Sequence, residues 1–420
     1  MDSDYESDLE FRAKEGLRTL CTRAPIPPVE VKQQRIETSF NAPAQKRRRL
    51  SRKGKFPVVD TLRQTPISGV YSMAQTGTAS KRIVIDLFAC IGGFSTGAAI
   101  AGHQIGLAVD CDPQALAIHE ANHPNAVHKV MLLGPETETE LIELIRSVVP
   151  AGSEWHLHGS PPCTKLSSAR QMSVRSKDVV EKGEHEGMCL VDWYLNFSEK
   201  MEPTSWSMEQ VNCAPVRTTL KERRLRSKSW TDFEVVEFAK FGVPQTRTRI
   251  IAGLPSLIRR IRFGKGMLVS KLVTPRMVIT DLPTDAVYVR GNWHRETKQD
   301  ATESACNGGF INERAQALCR TLDEPSWTVM ANQPLQWWDS KFARIRGMNI
   351  KETLLMQTFP QDYKEASGGS MIADFLKGIG NAVPPLFASK LMTVVSPHGV
   401  GVHSGSSSSA AAAAAASGLA

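Results

Sequence analysis

The sequence predicts an α/β fold in which helices cover a mostly parallel sheet. Residues 83–88 are a nearly continuous apolar run, which is typical of a parallel strand buried on both faces. A glycine-rich turn at 89–97 and a second apolar strand at 105–109 follow, and together they form a β-turn-α-β unit. A third strand, 155–159, is stopped sharply by the serine and two prolines at 160–162.

The composition is that of a globular protein with surplus positive charge. The 420 residues include 51 Lys and Arg against 43 Asp and Glu, a formal net charge of +8. This surplus favours a polyanionic partner, although it is also common in proteins that bind none. The eight cysteines contain no C-x-x-C pair, so we expect no metal site, no disulfide framework and a reducing compartment. Since no apolar run could span a bilayer, we expect no membrane association.

The two ends of the chain differ in character from its middle. Residues 1–80 are polar and poorly periodic, and we expect a disordered arm with one short helix at 8–21. The basic cluster at 46–49 is typical of a nuclear localisation signal or of an arm that binds nucleic acid. A solvated basic linker is the alternative. Residues 396–420 are a low-complexity tail that we also expect to be disordered.

The turn after the first strand has the features of a nucleotide-binding site. Gly92 and Gly93 allow the backbone to approach a ligand closely. Asp110 ends the second strand, where its carboxylate could accept hydrogen bonds from two ribose hydroxyls. Because the spacing is not G-x-G-x-x-G, a dinucleotide is not favoured.

Cys163 is a candidate nucleophile. It follows Pro161 and Pro162, whose fixed φ angles make a stiff ledge at the carboxyl end of a strand. Ligands bind at that edge of an open α/β sheet. A buried structural cysteine after a turn is an equal alternative at this point. The polar residues 164–190 suggest a mobile loop that closes over a substrate.

Further polar side chains lie at two later strand ends. Glu209 ends a short strand at 206–211, where a lone acid is more often solvated than catalytic. Gln245, Arg247 and Arg249 alternate along a predicted strand and would point the same way. They suit an anion or a base edge, with a solvated basic strand end as the alternative.

The remaining elements suggest one domain interrupted by a second. Helical patterns occupy 137–149 and 190–202, and a turn at 378–385 precedes a helix that ends near 395. The sequence between 256 and 349 is irregular, basic and rich in tryptophan, which suggests a smaller lobe. The predicted divisions are an arm at 1–80, a catalytic domain at 81–255 and 350–395, the lobe at 256–349 and the tail at 396–420.

Taken in order, these motifs resemble those of the DNA (cytosine-5-)-methyltransferase family. The matching stretches are 86–93, 110–113, 159–163, 209–211, 245–249, 357–360 and 380–385. Four positions depart from the family pattern. Cys90 stands for the usual Gly, Asp110 for Glu, Gln210 for Asn and Thr164 for Gln.

The resemblance implies a Rossmann-like, S-adenosylmethionine-dependent methyltransferase domain with a smaller target-recognition lobe. The aromatic ring of Phe88 would pack on the adenine of the cofactor, Asp110 would hold its ribose, and Asn381 would help to close the pocket. The cofactor contacts expected from it are Phe88, Gly92, Gly93, Asp110, Cys111, Pro162 and Asn381. The catalytic residues expected from it are Cys163, Glu209, Arg247 and Arg249.

The chemistry of the family explains why each of these catalytic residues is expected. A Cys163 thiolate would add to C6 of cytosine, because C5 is otherwise a poor nucleophile. Glu209 would share a proton with N3 and accept from the N4 amine, Arg249 would bind O2, and Arg247 would brace the loop or a phosphate. The expected partner is double-stranded DNA with its target base flipped out, bound by a monomer in the nucleus. The alternatives are a tRNA cytosine-5 methyltransferase and a catalytically silent DNA-binding homologue.

Overall fold

A computed structural model gives the architecture of the chain. It describes residues 81–162, 177–264, 266–279, 282, 287–289, 319–331, 335–339, 344–365 and 372–395. The predicted arm, its basic cluster, the predicted tail and Cys163 lie outside these residues. Of the predicted loop at 164–190, only the part from 177 onwards is described.

A seven-stranded sheet lies at the centre of the fold, and it confirms the α/β prediction. Its strand order is β3-β2-β1-β4-β5-β8-β6. The strands from β3 to β5 are parallel, and β8 runs antiparallel to both of its neighbours. The strands are β1 (Ile83–Leu87), β2 (Gln104–Asp110), β3 (Val127–Val130), β4 (Trp155–Gly159), β5 (Ser205–Val211), β6 (Asp232–Glu237) and β8 (Thr248–Gly253).

Helices cover both faces of this sheet. They are α1 (Gly93–Ile100), α2 (Pro113–Asn122), α3 (Glu138–Val148), α4 (Lys177–Met201), α5 (Ala214–Arg226), α6 (Pro255–Phe263), α7 (Pro275–Val278), α8 (Ile350–Met356), α9 (Ile372–Asn381) and α10 (Pro385–Val395). Ile85 and Leu87 of β1 enter one apolar core with side chains of α3, α4 and α5. Val84 enters a second core with side chains of α1, α6 and α10. Both faces of β1 are therefore buried, which explains its continuous apolar run.

A smaller sheet lies within the stretch predicted as a separate lobe. Its order is β10-β9-β12-β13, and its pairs are antiparallel. A short pair joins β7 to β11. The strands are β7 (Gln245–Thr246), β9 (Val287–Val289), β10 (Cys319–Thr321), β11 (Ser326–Trp327), β12 (Gln336–Asp339) and β13 (Arg344–Gly347). The predicted boundary at 256 falls inside α6, and the division into two lobes stays a prediction.

Two local predictions were wrong. The stretch from 177 to 190 was expected to belong to a loop, but it is the first half of α4. Its Glu and Lys residues are good helix formers, so polarity alone did not indicate a loop. Residues 378–381 were expected to be a turn, but they end α9. Gly378 and Gly380 serve close packing, because an added Cβ would lie 2.4 Å from Ile91 and 2.5 Å from the Ala331 nitrogen.

The described part of the chain bears on two expectations, that the protein has no metal site and that it has no membrane-spanning segment. Within it, no three His, Cys, Asp or Glu side chains are grouped as a metal site. No helix within it is long and apolar enough to cross a membrane.

Gly97 on α1 gives a test of the packing between α1 and α10. A Cβ added there would lie 2.4 Å from the Pro385 carbonyl oxygen and 2.5 Å from the Ala388 side chain. Gly97→Ala should therefore lower the free energy of unfolding by about 1–3 kcal/mol, although alanine is the better helix former. Urea unfolding measures the change.

Gly347→Ala is the matched control. A Cβ at this position meets nothing within 4 Å, so the free energy of unfolding should change by less than about 0.5 kcal/mol. Equal losses in the two variants would contradict the close contact between α1 and α10.

Candidate active site

The turn between β1 and α1 has an unusual backbone. Phe88, Cys90 and Gly92 have φ angles of 59°, 49° and 92°. Two of these residues are not glycine, and left-handed backbone at such residues is uncommon and often marks a functional site. Asp110 at the end of β2 holds the turn, since its Oδ2 accepts a hydrogen bond from the Cys90 N–H at 2.8 Å. A side chain from the neighbouring strand therefore stabilises this left-handed backbone.

The two glycines of the turn are also required by the protein behind them. A Cβ on Gly93 would lie 2.4 Å from the Val383 carbonyl oxygen. A Cβ on Gly92 would lie 2.9 Å from the His119 ring and 3.0 Å from the Tyr363 hydroxyl. Sequence reasoning assigned these glycines to the close approach of a ligand. The structure adds a second reason, which is the close packing of the turn against the rest of the domain.

The groups beside the turn fit an adenosine. Phe88 is half-buried and makes an edge-to-face contact with Trp193, with the ring centroids 6.2 Å apart. The second oxygen of Asp110 accepts from the Asp112 N–H at 2.9 Å. Each carboxylate oxygen has further lone pairs, so Asp110 can still accept from two ribose hydroxyls. Burial raises the pKa of Asp110. Cys111 next to it is exposed.

The ledge that precedes Cys163 is held by three hydrogen bonds. The Ser160 N–H donates to the Leu87 carbonyl at 3.2 Å. The Ser160 hydroxyl lies 2.9 Å from His158 Nε2, and Gln210 Nε2 donates to the Pro161 carbonyl at 3.1 Å. Gln210 stands where the family usually has Asn, and its longer side chain reaches the ledge. Pro162 is exposed at the end of the described segment.

Glu209 and Arg249 form a buried pair at the end of β5. Arg249 Nε lies 3.0 Å from Glu209 Oε1, and the two side chains are 15% and 9% exposed. The contact is an ion pair, and Oε1 has no hydrogen-bond partner among the described residues. Because Gly159 is paired with Met208, the ledge and Glu209 leave neighbouring strands at the same edge. A buried, ion-paired carboxylate therefore lies near the same edge of the sheet as the ledge.

Arg247 and Gln245 face the protein interior. The Arg247 guanidinium donates to the carbonyls of Val329 and Gly380 at 3.1 Å and of Asn381 at 3.4 Å. Gln245 Nε2 donates to the Met356 carbonyl at 2.9 Å. The predicted single strand is in fact divided between β7 and β8 at Arg247. Arg247 thus braces the backbone at residues 329, 380 and 381, and its expected contact with the loop or with a phosphate stays a prediction. The Asn381 side chain is exposed.

Sequence reasoning missed a polar network behind the turn. The Ser95 hydroxyl donates to Asp86 at 2.7 Å and lies 3.0 Å from His119 Nε2. His119 Nδ1 in turn lies 2.9 Å from His128. Burial raises the pKa of Asp86 to about 7, although the hydrogen bond from Ser95 opposes this. Only Asp86, inside an apolar strand, could have indicated such a network in the sequence.

The fold and the site together define a class of protein. The strand order reverses between β1 and β4, and ligands bind at such a switch point in open α/β sheets. The glycine turn, the carboxylate at the end of β2 and the ledge all lie at this carboxyl edge. The class is that of the Rossmann-like α/β proteins with a ligand site at the switch point.

The family follows from comparison with known proteins. The model of the C-5 cytosine-specific DNA methylase family matches residues 83–212 and 230–396, more than half of the chain. The chain belongs to this family, and it is therefore an enzyme of the DNA (cytosine-5-)-methyltransferase class.

The sequence identity between this chain and individual relatives is low. The type II methyltransferase M.HindV of Haemophilus influenzae is 25% identical over 322 residues, which cover 71% of this chain and 91% of the relative. M.HgiDI of Herpetosiphon aurantiacus is 27% identical, with 74% and 92% covered. Among solved structures, the S. pombe Dnmt2 methyltransferase has a TM-score of 0.49 and 14% identity, with 75% and 98% covered.

Asp86 gives a pH test of the network. Between its unfolded pKa, near 3.9, and its folded pKa of about 7, the folded state binds more protons than the unfolded state. The contribution of Asp86 to stability therefore falls as the pH rises through this window. Asp86→Asn lacks this titration, so its stability relative to the wild type should increase by about 2 kcal/mol from pH 5 to pH 7.

Urea unfolding at several pH values measures this difference. Asp362→Asn, at an exposed position, is the matched control and should follow the wild-type pH curve. If Asp86→Asn also stays parallel to the wild type, the raised pKa of Asp86 is refuted.

Proposed function

We propose that this enzyme methylates C5 of cytosine in double-stranded DNA through a covalent bond between Cys163 and C6. The observation that carries the proposal is the Glu209–Arg249 pair beside the ledge that leads into Cys163. The pair places a carboxylate beside a guanidinium, and both side chains are largely buried. This donor and acceptor set matches the N3, N4 and O2 edge of cytosine.

The methyl donor we propose is S-adenosylmethionine. Phe88 and Asp110 would hold the adenine and ribose, and Gly92 and Gly93 would pass the methionine part. When bound, this cofactor supplies an electrophilic methyl group. The half-buried ring of Phe88 and the spare lone pairs of Asp110 fit the adenosine part.

The residues of the site then have separate roles. The Cys163 thiolate forms a bond to C6, the C5–C6 double bond opens, and the ring charge moves towards N3 and O2. Glu209 shares a proton with N3 and accepts from the N4 amine, and Arg249 donates to O2. Once C5 carries its methyl group, a base removes the C5 proton. The electron pair re-forms the double bond and expels the thiolate.

The substrate we propose is duplex DNA with the target base flipped out. A cytosine in a base stack cannot reach the carboxyl edge of the sheet, and extrusion costs a few kcal/mol. The net charge of +8 favours a polyanion and predicts binding that weakens with salt. The basic cluster at 46–49 supports a nuclear enzyme, and we propose that location on this ground alone.

One experiment distinguishes the candidate substrates. The full chain is incubated with tritiated S-adenosylmethionine and with either unmethylated duplex DNA or tRNA. We expect incorporation into duplex DNA, at 5-methylcytosine. Incorporation into tRNA alone would replace DNA by tRNA as the substrate, and the absence of both would indicate a silent homologue.

Replacing the two reacting groups tests the mechanism. Cys163→Ser should abolish turnover and retain DNA binding, because an alcohol is a far weaker nucleophile than a thiolate. Glu209→Gln should lower kcat by about 10²–10⁴-fold, the usual contribution of a proton-transfer group. Methyl incorporation and a gel-shift assay measure the two effects.

Glu140→Gln is the control for Glu209→Gln. Glu140 pairs with Lys129 at the protein surface, where both side chains are about half exposed, and such a pair contributes little. Its kcat should stay within about twofold of the wild type. Normal turnover by Cys163→Ser would refute the covalent mechanism, and normal turnover by Glu209→Gln would refute ring activation by that carboxyl.

A further inference from the structure

The sheet face beneath α1 carries a row of polar side chains at its centre. Asp86, His158 and Ser207 stand opposite one another on β1, β4 and β5. All three are at most 1% exposed. Aliphatic side chains would fill a parallel-sheet face at lower cost in desolvation. The polar row therefore indicates that these side chains have a role besides packing.

His156 and His158 join this row to a continuous hydrogen-bonded chain. Ser205 Oγ lies 2.8 Å from His156 Nδ1, and His156 Nε2 lies 2.9 Å from Ser207 Oγ. Ser207 Oγ lies 2.8 Å from His158 Nδ1, and His158 Nε2 lies 2.9 Å from Ser160 Oγ. Every ring nitrogen of the two histidines has a partner. The chain ends on Ser160, the residue immediately before the two prolines of the ledge.

The two histidines are neutral. Burial lowers the pKa of His158 to about 3 and that of His156 well below its usual value. A neutral imidazole has one donor and one acceptor nitrogen. At the far end, Arg82 donates to Ser205 at 3.1 Å. If the Ser205 hydroxyl donates to His156 Nδ1, all links run in one direction, and His158 Nε2–H donates to Ser160.

The last ring of the chain is also fixed by stacking. Phe94 of α1 lies parallel to His158, with the ring centroids 3.4 Å apart and the planes 3° apart. His158 is thus held on its face by an aromatic ring and on its edge by two hydroxyls. The hydrogen bond from His158 therefore also fixes the position of Ser160, which is two residues before Pro162 and three before Cys163.

We propose that His158 is a positioning residue that sets the ledge, and with it the attack of Cys163 on C6, through its bond to Ser160. The proposal rests on the covalent mechanism proposed above. A displacement of about 1 Å at a reacting atom can lower the rate about 100-fold. A neutral histidine that only positions should affect the rate equally at all pH values, whereas a proton relay would alter the pH profile.

Variants of His158 and Ser160 test this role. His158→Phe keeps the ring and the contact with Phe94 but loses both hydrogen bonds. Ser160→Ala removes the last link with a smaller change, and it decides the question if His158→Phe does not fold. Each should lower kcat by about 10–100-fold. The double variant should be no slower than His158→Phe, because both changes remove the same hydrogen bond between His158 and Ser160.

Two further variants separate positioning from a merely structural effect. His158→Gln keeps a nitrogen that can reach Ser160 and should recover kcat to within about threefold of the wild type. Ser198→Ala removes a buried hydroxyl of α4 that donates to the Leu195 carbonyl and lies outside the hydrogen-bonded chain, and its kcat should stay within about twofold. The Kd for S-adenosylmethionine and the shape of the pH profile should not change in any variant.

The readouts are kcat and KM on duplex DNA, and the rate of covalent trapping by DNA that contains 5-fluorocytosine. A folded His158→Phe or Ser160→Ala with near wild-type kcat and trapping would overturn the role of His158. So would a His158→Gln as slow as His158→Phe, or a Ser198→Ala as slow as Ser160→Ala. Failure of the wild type itself to form the adduct would instead refute the covalent mechanism.

Discussion

A single buried guanidinium joins segments that are far apart in the sequence. Arg247 is 2% exposed and donates to main-chain carbonyls near residue 329 and at the end of α9. A charge so deeply buried is stable only when polar groups surround it, and removal of those groups is strongly destabilising. Gly380 lies against the backbone of Ala331, which lets the segments meet. The end of β7, the start of β8, the segment around residue 329 and the end of α9 therefore meet at this guanidinium.

The sequence was informative where local pattern and burial agree. The apolar run of β1, the strand at 155–159 and the acid that ends β2 could each be predicted from neighbouring residues alone. The left-handed backbone of Phe88 and Cys90 could not, because Asp110, twenty residues beyond Cys90, supports it. The inward direction of Arg247 could not either, since its partners lie more than eighty residues away. What the sequence left open are contacts that only tertiary packing creates.

The histidine chain illustrates the same limit at the candidate site. His156 and His158 alternate with Leu157, as expected for a strand, and this pattern was interpreted only as a lead-in to the ledge. The hydroxyl partners of their Nδ1 atoms are on β5, forty-nine residues away. Polar residues inside a central strand conflict with simple burial, and such conflicts often mark functional sites. The two histidines in a central strand were therefore the sequence signal for this hydrogen-bonded chain.

The contact between α1 and α10 bears on the order in which the protein folds during synthesis. Helix α1, which starts at the glycine turn, has eight residues and buries Gly97 against Pro385 and Ala388. So short a helix is marginal without a packing partner. On the ribosome, its apolar side must wait for nearly three hundred further residues to be translated. The α1 side of the sheet is thus encoded early and completed late, and until α10 is translated the apolar surface of α1 lacks this partner.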